Sequence, residues 1–263
     1  MPVPGTAALR LSALMVSVLY DIDLRPTEDG IVLTGPLPVA VSWAQCRQAL
    51  AGHDPESDTG CGRLARWLVA RQRIAHLTPA ELAERARPVG LPRGHVLHPG
   101  PAWVRDNILG DTLDLGLGIV GGGSGTAHEV MVVPPEAWSA AGIDPAPWWP
   151  IARGYLRTMS MLAVQRRART RRDILRPMGD CDVVTLLAAK EYRTPLAAAD
   201  GGMAAVAVPM RRRGWTDLRA IDPAFAATAA SLTAPEERGF AGPLLVTPDE
   251  VVMIARRAAP SYR

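Results

Sequence analysis

Leu113-Asp114-Leu115-Gly116-Leu117-Gly118-Ile119-Val120 alternates between large apolar residues and smaller or polar ones. Leu113, Leu115, Leu117 and Ile119 recur with a period of two, which predicts a β-strand. A glycine-rich run follows, Gly121-Gly122-Gly123-Ser124-Gly125-Thr126, and Glu129 to Val133 then reads as a second strand. Strand, flexible segment, strand is most simply a hairpin. This reading decides the fold class. Gly116-Leu117-Gly118-Ile119-Val120-Gly121 has the spacing of a dinucleotide fingerprint. That fingerprint needs a helix N-terminus after the glycines to hold the pyrophosphate, and an acidic residue further on for the ribose. A strand follows instead, and no clear acidic residue stands at the expected distance. No lysine follows either, so a P-loop would lack the side chain that reaches the β- and γ-phosphates. What remains is a flexible hairpin tip or an anion nest built from backbone N–H groups. Gly121, Gly122, Gly123, Ser124, Gly125 and Thr126 are therefore candidate ligand- or anion-binding residues.

N-terminal to the hairpin the pattern turns helical. Leu11, Met15, Val18 and Leu19 suggest a helix over 6–20 buried on that face, although a strand fits the composition too. The apolar stretch Leu11 to Leu19 is too short to span a bilayer and lacks a basic leader, so no membrane is expected as a partner. Ile31–Leu33 and Val39–Val41 predict short strands, and Ser42–Leu50 a helix stopped by Gly52. Leu64–Leu77 predicts an amphipathic helix, with Leu64, Leu68, Ile74 and Leu77 inside and Arg63, Arg66, Arg71 and Arg73 elsewhere. Thr78-Pro79-Ala80-Glu81 carries a capping box and an N-terminal proline, hence a helix that ends before Pro88. Residues 88–102 hold four prolines and three glycines, the best internal boundary. The expectation is a single compact domain over 1–263. If it is subdivided at all, residues 1–87 form a helical portion and residues 103–263 an α+β portion.

C-terminal to the hairpin, Ile151 to about Ile174 is the longest predicted helix, with Ile151, Tyr155, Met159 and Leu162 as its stripe. Val183–Leu187, Ala204–Val208 and Leu244–Val246 read as strands. Asp222-Pro223 starts a helix reaching about Leu232, with Asp222 as its cap. Thr247-Pro248-Asp249-Glu250 offers either a helix start or a tight turn, and its complete capping box favours the helix. The predicted class is α+β: a helix-rich N-terminal third, then a mixed or antiparallel sheet packed with helices.

Composition narrows the chemistry only slightly. The 263 residues are 48% hydrophobic and 21% charged, with a formal net charge of +3. Lys190 is the only lysine among 29 basic residues. Arginine, alanine, glycine and proline codons are all GC-rich, so the bias reads as that of a GC-rich bacterium. Cys46, Cys61 and Cys181 have no metal or disulfide spacing, which points to free thiols in a reducing, cytoplasmic setting. Cys61, at a predicted helix start near His53 and Asp54, is the most accessible of the three as a nucleophile. His95 and His98 are three apart but lie between Pro92 and Pro99, where no helix is expected to align them for a metal. No metal and no cofactor are expected.

The arginines form the most specific polar pattern. Arg153, Arg157, Arg166, Arg167, Arg169, Arg171, Arg172 and Arg176 share one segment with a single acid, Asp173. Arg211-Arg212-Arg213, with Trp215, make a second cluster. Arg166, Arg167, Arg169, Arg171, Arg172, Arg211, Arg212, Arg213 and Trp215 are the candidate partner- or nucleic-acid-binding residues. The leading expectation is a non-enzymatic cytosolic interaction or regulatory protein. It would bind an acidic protein partner, or itself as a homo-oligomer, through arginine-rich faces. One rival is an enzyme of unknown reaction with its cleft under the loop 121–126. The other is a nucleic-acid binder, with Trp215 stacking on a base. The acidic stretches 21–29, 54–58 and 234–237 are alternative partners for the arginines.

Overall fold

A computed structural model of the chain describes residues 6–103, 112–120, 130–170 and 173–254. The chain divides into two units. Met1–Arg87, Val96–Trp103 and Leu117–Pro150 make the first; Pro88–His95, Val104–Gly116 and Ile151–Arg263 make the second. The class is α+β.

The first unit begins with α1 (Thr6–Leu19) and a three-stranded antiparallel meander of β1 (Leu24–Pro26), β2 (Gly30–Leu33) and β3 (Val39–Ser42). Burial alternates along β3, with Val39 and Val41 inside and Ala40 and Ser42 outside, as one-sided sheets require. Ser42 ends β3 and caps α2 (Trp43–Leu50): its hydroxyl accepts the Gln45 N–H at 3.2 Å, and Gln45 Oε1 accepts the Ser42 N–H at 2.9 Å. Ser57 caps α3 (Asp58–Ala75). Thr78 and Glu81 close the expected capping box on α4 (Pro79–Arg85). Helices α1, α2 and α3 pack on one another, and α3 packs on β2 and β3. Leu9, Val16, Leu33, Val39, Leu64 and Leu68 fill the core between them.

Two faces differ from the sequence expectation. In α1 the buried residues are Leu9, Ser12, Ala13 and Val16, whereas Leu11, Met15, Val18 and Leu19 are exposed. The helix has apolar residues on both sides, and the side with small Ser12 and Ala13 allows the close helix packing. In α3, Arg63 and Arg71 are buried rather than solvated. Arg63 Nε and Nη2 donate to the Ala49 carbonyl at the end of α2 (3.2 and 3.1 Å). Arg71 Nη1 donates to the Val132 carbonyl at 2.9 Å, and its guanidinium lies 5.2 Å from the Trp67 ring centre. Burial works against the Arg71 charge and lowers its pKa to about 10, with Glu136 opposing. Arginine tolerates this because carbonyl and ring both meet its donors.

Strand β4 (Ala86–Pro92) occupies the start of the Pro/Gly-rich stretch, so the irregular stretch begins only after Pro92. The hairpin forms as read: β5 (Leu113–Val120) pairs antiparallel with β6 (Val130–Val132), Gly118 opposite Val132 and Val120 opposite Val130. The glycine-rich residues 121–126 lie outside the described residues. A short helix, α5 (Pro135–Ala140), follows.

The second unit contains most of α6 (Trp148–Arg169), then β7 (Ile174–Leu175), α7 (Val183–Leu187), α8 (Lys190–Ala198), β8 (Ala204–Met210), β9 (Arg213–Trp215), α9 (Pro223–Leu232), β10 (Leu244–Val246) and β11 (Val251–Met253). Its sheet runs β11-β10-β8-β9-β7, with antiparallel pairs throughout. The central strand β8 is almost continuously apolar. Ala207 packs in a cluster with Ala226 of α9, and the two-residue alternation sends Val206 and Val208 to the other face.

Three further expectations are corrected here. Val183–Leu187 is helical, although its β-branched run suggested a strand. Asp182 accepts the Thr185 N–H at 2.7 Å and so starts a helix. The turn is pinned again when Gly90 N–H donates to Thr185 Oγ1 at 2.9 Å; a Cβ on Gly90 would come within 2.9 Å of the Thr185 Cα. Thr247–Glu250 is a hairpin turn between β10 and β11, with Val246 opposite Val251. Thr247 Oγ1 accepts the Glu250 N–H at 2.9 Å. The same contact would cap a helix, and the β-branched Val251 and Val252 beyond it decide for a strand. Finally, α6 buries Ala152, Leu156, Ser160 and Ala163, leaving Ile151 and Leu162 exposed.

Candidate functional site: an arginine-lined cleft

Strands β7 and β9 pair with Ile174 opposite Trp215 and Leu175 opposite Gly214. Continued by one residue, this register brings Arg176 across from Arg213. Arg211 and Arg212 form the turn between β8 and β9, whose last recorded pair is Met210 with Arg213. The last turns of α6 bring Arg166 to the same place. Arg166, Arg176, Arg212 and Arg213 thereby line one cleft of about 650 Å3, which Thr233 and Glu237 also border. Among the described residues lining it, Glu237 is the only acid. Like charges set opposite each other on neighbouring strands repel. An anion lodged among them converts that repulsion into charge-assisted hydrogen bonds, and the planar guanidinium suits carboxylate and phosphate oxygens.

The cleft wall is closed by the segment after Arg176. Gly179 has φ +53°, and a Cβ there would lie 2.6 Å from Met159 Sδ and 2.9 Å from the Tyr155 hydroxyl of α6. Glycine is thus required for this loop to sit against the helix. The Asp180 N–H donates to the Tyr155 hydroxyl, which in turn donates to Asp180 Oδ2, both at 3.2 Å. Burial, with the Asp180 charge adding to it, raises the Tyr155 pKa above its ordinary value.

Other residues marked in the sequence are placed elsewhere. Arg211 is only 1% exposed. Its Nη2 pairs with Asp182 Oδ2 at 2.5 Å, its N–H donates to the Glu237 carbonyl, and its carbonyl receives the Val183 N–H. It is therefore a structural pin between the β8–β9 turn and α7, and leaves the partner-facing set. Trp215 is 9% exposed and packs edge-on against Phe225, ring centres 5.2 Å apart. It has no open face on which a base could stack. Arg167 is half-buried and donates to Thr216 Oγ1 at 3.2 Å. Arg169 is exposed at the end of α6. Arg171 and Arg172, like Gly121, Gly122, Gly123, Ser124, Gly125 and Thr126, lie outside the described residues.

A second hollow of about 500 Å3 in the same unit is bordered by Arg157, Lys190, Glu191, Arg193 and Asp249. Arg153 is a fourth cation among the described residues lining it, and both of the acids there are paired with cations of the hollow. Lys190 Nζ lies 2.7 Å from Asp249 Oδ1, and Arg157 Nε lies 3.3 Å from Glu191 Oε1. The hydrogen bond from Lys190 holds the Asp249 carboxyl below its ordinary pKa. Arg193 donates to the Leu187 and Ala188 carbonyls, both at 2.8 Å, and so terminates α7. No motif announces this hollow in the sequence.

The three cysteines are thiols rather than disulfides. Cys46 is fully buried, and burial pushes its thiol up to about 12, so it stays protonated and unreactive near neutrality. Cys181 is buried and Cys61 half-buried. His95 is buried, and His98 Nδ1 accepts the Gly100 N–H at 3.1 Å while its ring meets Trp103 edge-on. Among the described residues no group of three or more His, Cys, Asp or Glu is placed to hold a metal, and no helix is long and apolar enough to cross a membrane. Compared with protein-family models, with curated proteins and with solved structures, the chain matches none.

Proposed function

We propose that the chain is a non-enzymatic cytosolic interaction protein that takes an acidic segment of a protein partner into the cleft between Arg166, Arg176, Arg212 and Arg213. The observation that carries this reading is the convergence of two arginine clusters, distant in the chain, on one concave surface with a single acid among its described lining residues. A short run of Asp and Glu supplies several carboxylates at the spacing such a cleft can pair bidentately. Convergence on one face also satisfies the first condition for a nucleic-acid binder. The second condition, an aromatic platform for the bases, weighs against it because Trp215 is buried against Phe225.

The test is fluorescence anisotropy with a labelled Asp/Glu-rich peptide, run in parallel with a single-stranded oligonucleotide. The peptide is expected to bind and to weaken as salt is raised. The Arg166→Glu/Arg212→Glu double variant is expected to weaken it at least about tenfold, or ~1.4 kcal/mol. Peptide binding that ignores both substitutions sinks the reading. Tighter binding of the oligonucleotide, lost in the same variant, transfers the cleft to nucleic acid.

A further inference from the structure

The outer face of α1 is built as a helix-packing seam that the described residues leave open. Ala7, Leu11, Leu14 and Val18 follow one another at steps of four, three and four, the spacing of apolar positions along a coiled-coil interface. All four are exposed; Leu11 is 62% and Val18 83% accessible, with Met15 and Leu19 beside them at 45% and 67%. The inner face, Leu9, Ser12, Ala13 and Val16, already packs in the first unit. A helix with both faces apolar and only one covered exposes a contiguous patch of the kind that marks interaction sites.

The charges around the seam indicate what covers it. A helix favours acids at its N-terminus and bases at its C-terminus. Here the first turn has no acid and the last no base. Exposed Arg10 lies near the start, on the rim of the seam, and Arg47 Nη1 reaches the first residue, donating to Thr6 Oγ1 at 3.3 Å. Exposed Asp21 and Asp23 follow the end. Each charge sits at the less favourable pole of its own helix. Set a second α1 antiparallel against the first and every charge is answered: Arg10 of each copy faces the end carrying Asp21 and Asp23 of the other, and opposite poles of the two dipoles adjoin. A two-fold axis near Leu14 and Met15 then places Leu11 of one copy against Val18 of the other.

We propose that α1 is a self-association surface and that the protein forms a two-fold dimer through antiparallel packing of this helix. The contact is isologous, so it closes at two copies. It is smaller than a standard protein interface, so the dimer is expected to be reversible with a micromolar dissociation constant. The seam shares no residue with the arginine cleft and stands whether or not the cleft binds acidic segments.

Sedimentation velocity of the full chain across a concentration series, up to about 100 µM, tests the proposal. A monomer–dimer equilibrium is expected, persisting at high salt because the centre of the seam is apolar. Val18→Glu is expected to raise the dissociation constant at least about 100-fold. At concentrations below the dissociation constant its thermal midpoint should not change, since the residue is in water in the monomer. Arg10→Glu is expected to weaken the dimer about tenfold, and Asp23→Arg in the same chain to restore it, which distinguishes antiparallel from parallel packing. A monomer at every concentration, a dimer that survives Val18→Glu, or a double variant that is not restored overturns the proposal. So does a dimer abolished by Arg212→Glu, which would place self-association at the cleft.

Discussion

Arg63, Arg71, Arg193 and Arg211 end inside the protein, whereas Arg166, Arg176, Arg212 and Arg213 meet at one cleft. The two groups share a side chain and little else. Three of the inward arginines terminate on backbone carbonyls at helix or strand ends, Ala49 for Arg63, Val132 for Arg71, and Leu187 and Ala188 for Arg193. Arg211 terminates on the carboxylate of Asp182. Each acts as a tie, replacing water with fixed acceptors. Among the described residues lining the cleft, the outward group has one carboxylate, Glu237, for four guanidinium groups. Adjacent Arg211 and Arg212 fall into different groups, so what an arginine does here depends on which way the β8–β9 turn points it. Stability should therefore belong to the first group and binding to the second.

Arg211→Ala offers the strongest attempt to break that division. It leaves Asp182 charged and buried without its partner, and is expected to cost ~3–5 kcal/mol, read as a fall in the urea midpoint. Arg71→Leu removes the bond to Val132 and the contact with Trp67, with an expected loss of ~1.5–3 kcal/mol by the same measurement. Thr78→Ala provides a scale from outside the arginines. It removes one capping hydroxyl from α4 and is expected to cost ~1 kcal/mol. Arg212→Glu should stay within ~0.5 kcal/mol of the parent while peptide binding is lost. A large stability loss there would dissolve the comparison.

The smallest expected effect is one of pH. Glu81 accepts the Thr78 N–H, and that bond holds its carboxyl below the ordinary value; Lys190 does the same for Asp249. A depressed folded-state pKa gives stability that is complete above the ordinary carboxylate range and is lost as pH falls through the folded value. A thermal-midpoint series from neutrality down to about pH 3 should show that loss. In Glu81→Gln, where the amide still accepts the bond but does not titrate there, the loss should be smaller.

Local signals in the sequence located most elements of the first unit. Thr78 caps the helix it foretells, as Asp222 does in the second unit, and the period of two from Leu113 led to the hairpin with Val130–Val132. Which face of a helix is buried was harder to read. In α1 and α6 the buried side is the one with small residues, Ser12 and Ala13 or Ser160 and Ala163, because these let neighbouring backbone approach. A stripe chosen by hydrophobic size therefore points the wrong way. Val183–Leu187 depended on Asp182, whose acceptor overrides the β-branched run, and Thr247–Glu250 on Val251 and Val252 beyond the turn, which pair back onto β10. Both arginine clusters were visible, yet their meeting required the pairing of β7 with β9. The inward turn of Arg211 is set by Asp182, an acid far earlier in the chain.

Gly90 and Thr185 are joined by a hydrogen bond spanning 95 positions. On the ribosome, β4 and its sheet neighbour β5 emerge long before the Thr185 turn that receives Gly90. The first unit has all its segments once Pro150 has been made, but the second must wait, with Pro88–His95 and Val104–Gly116 in hand, until the chain from Ile151 arrives. A nascent chain arrested in that interval carries β4 beside β5 but without the Thr185 turn that receives Gly90, and cutting the gene at Pro150 would strand the same piece in the wrong fragment.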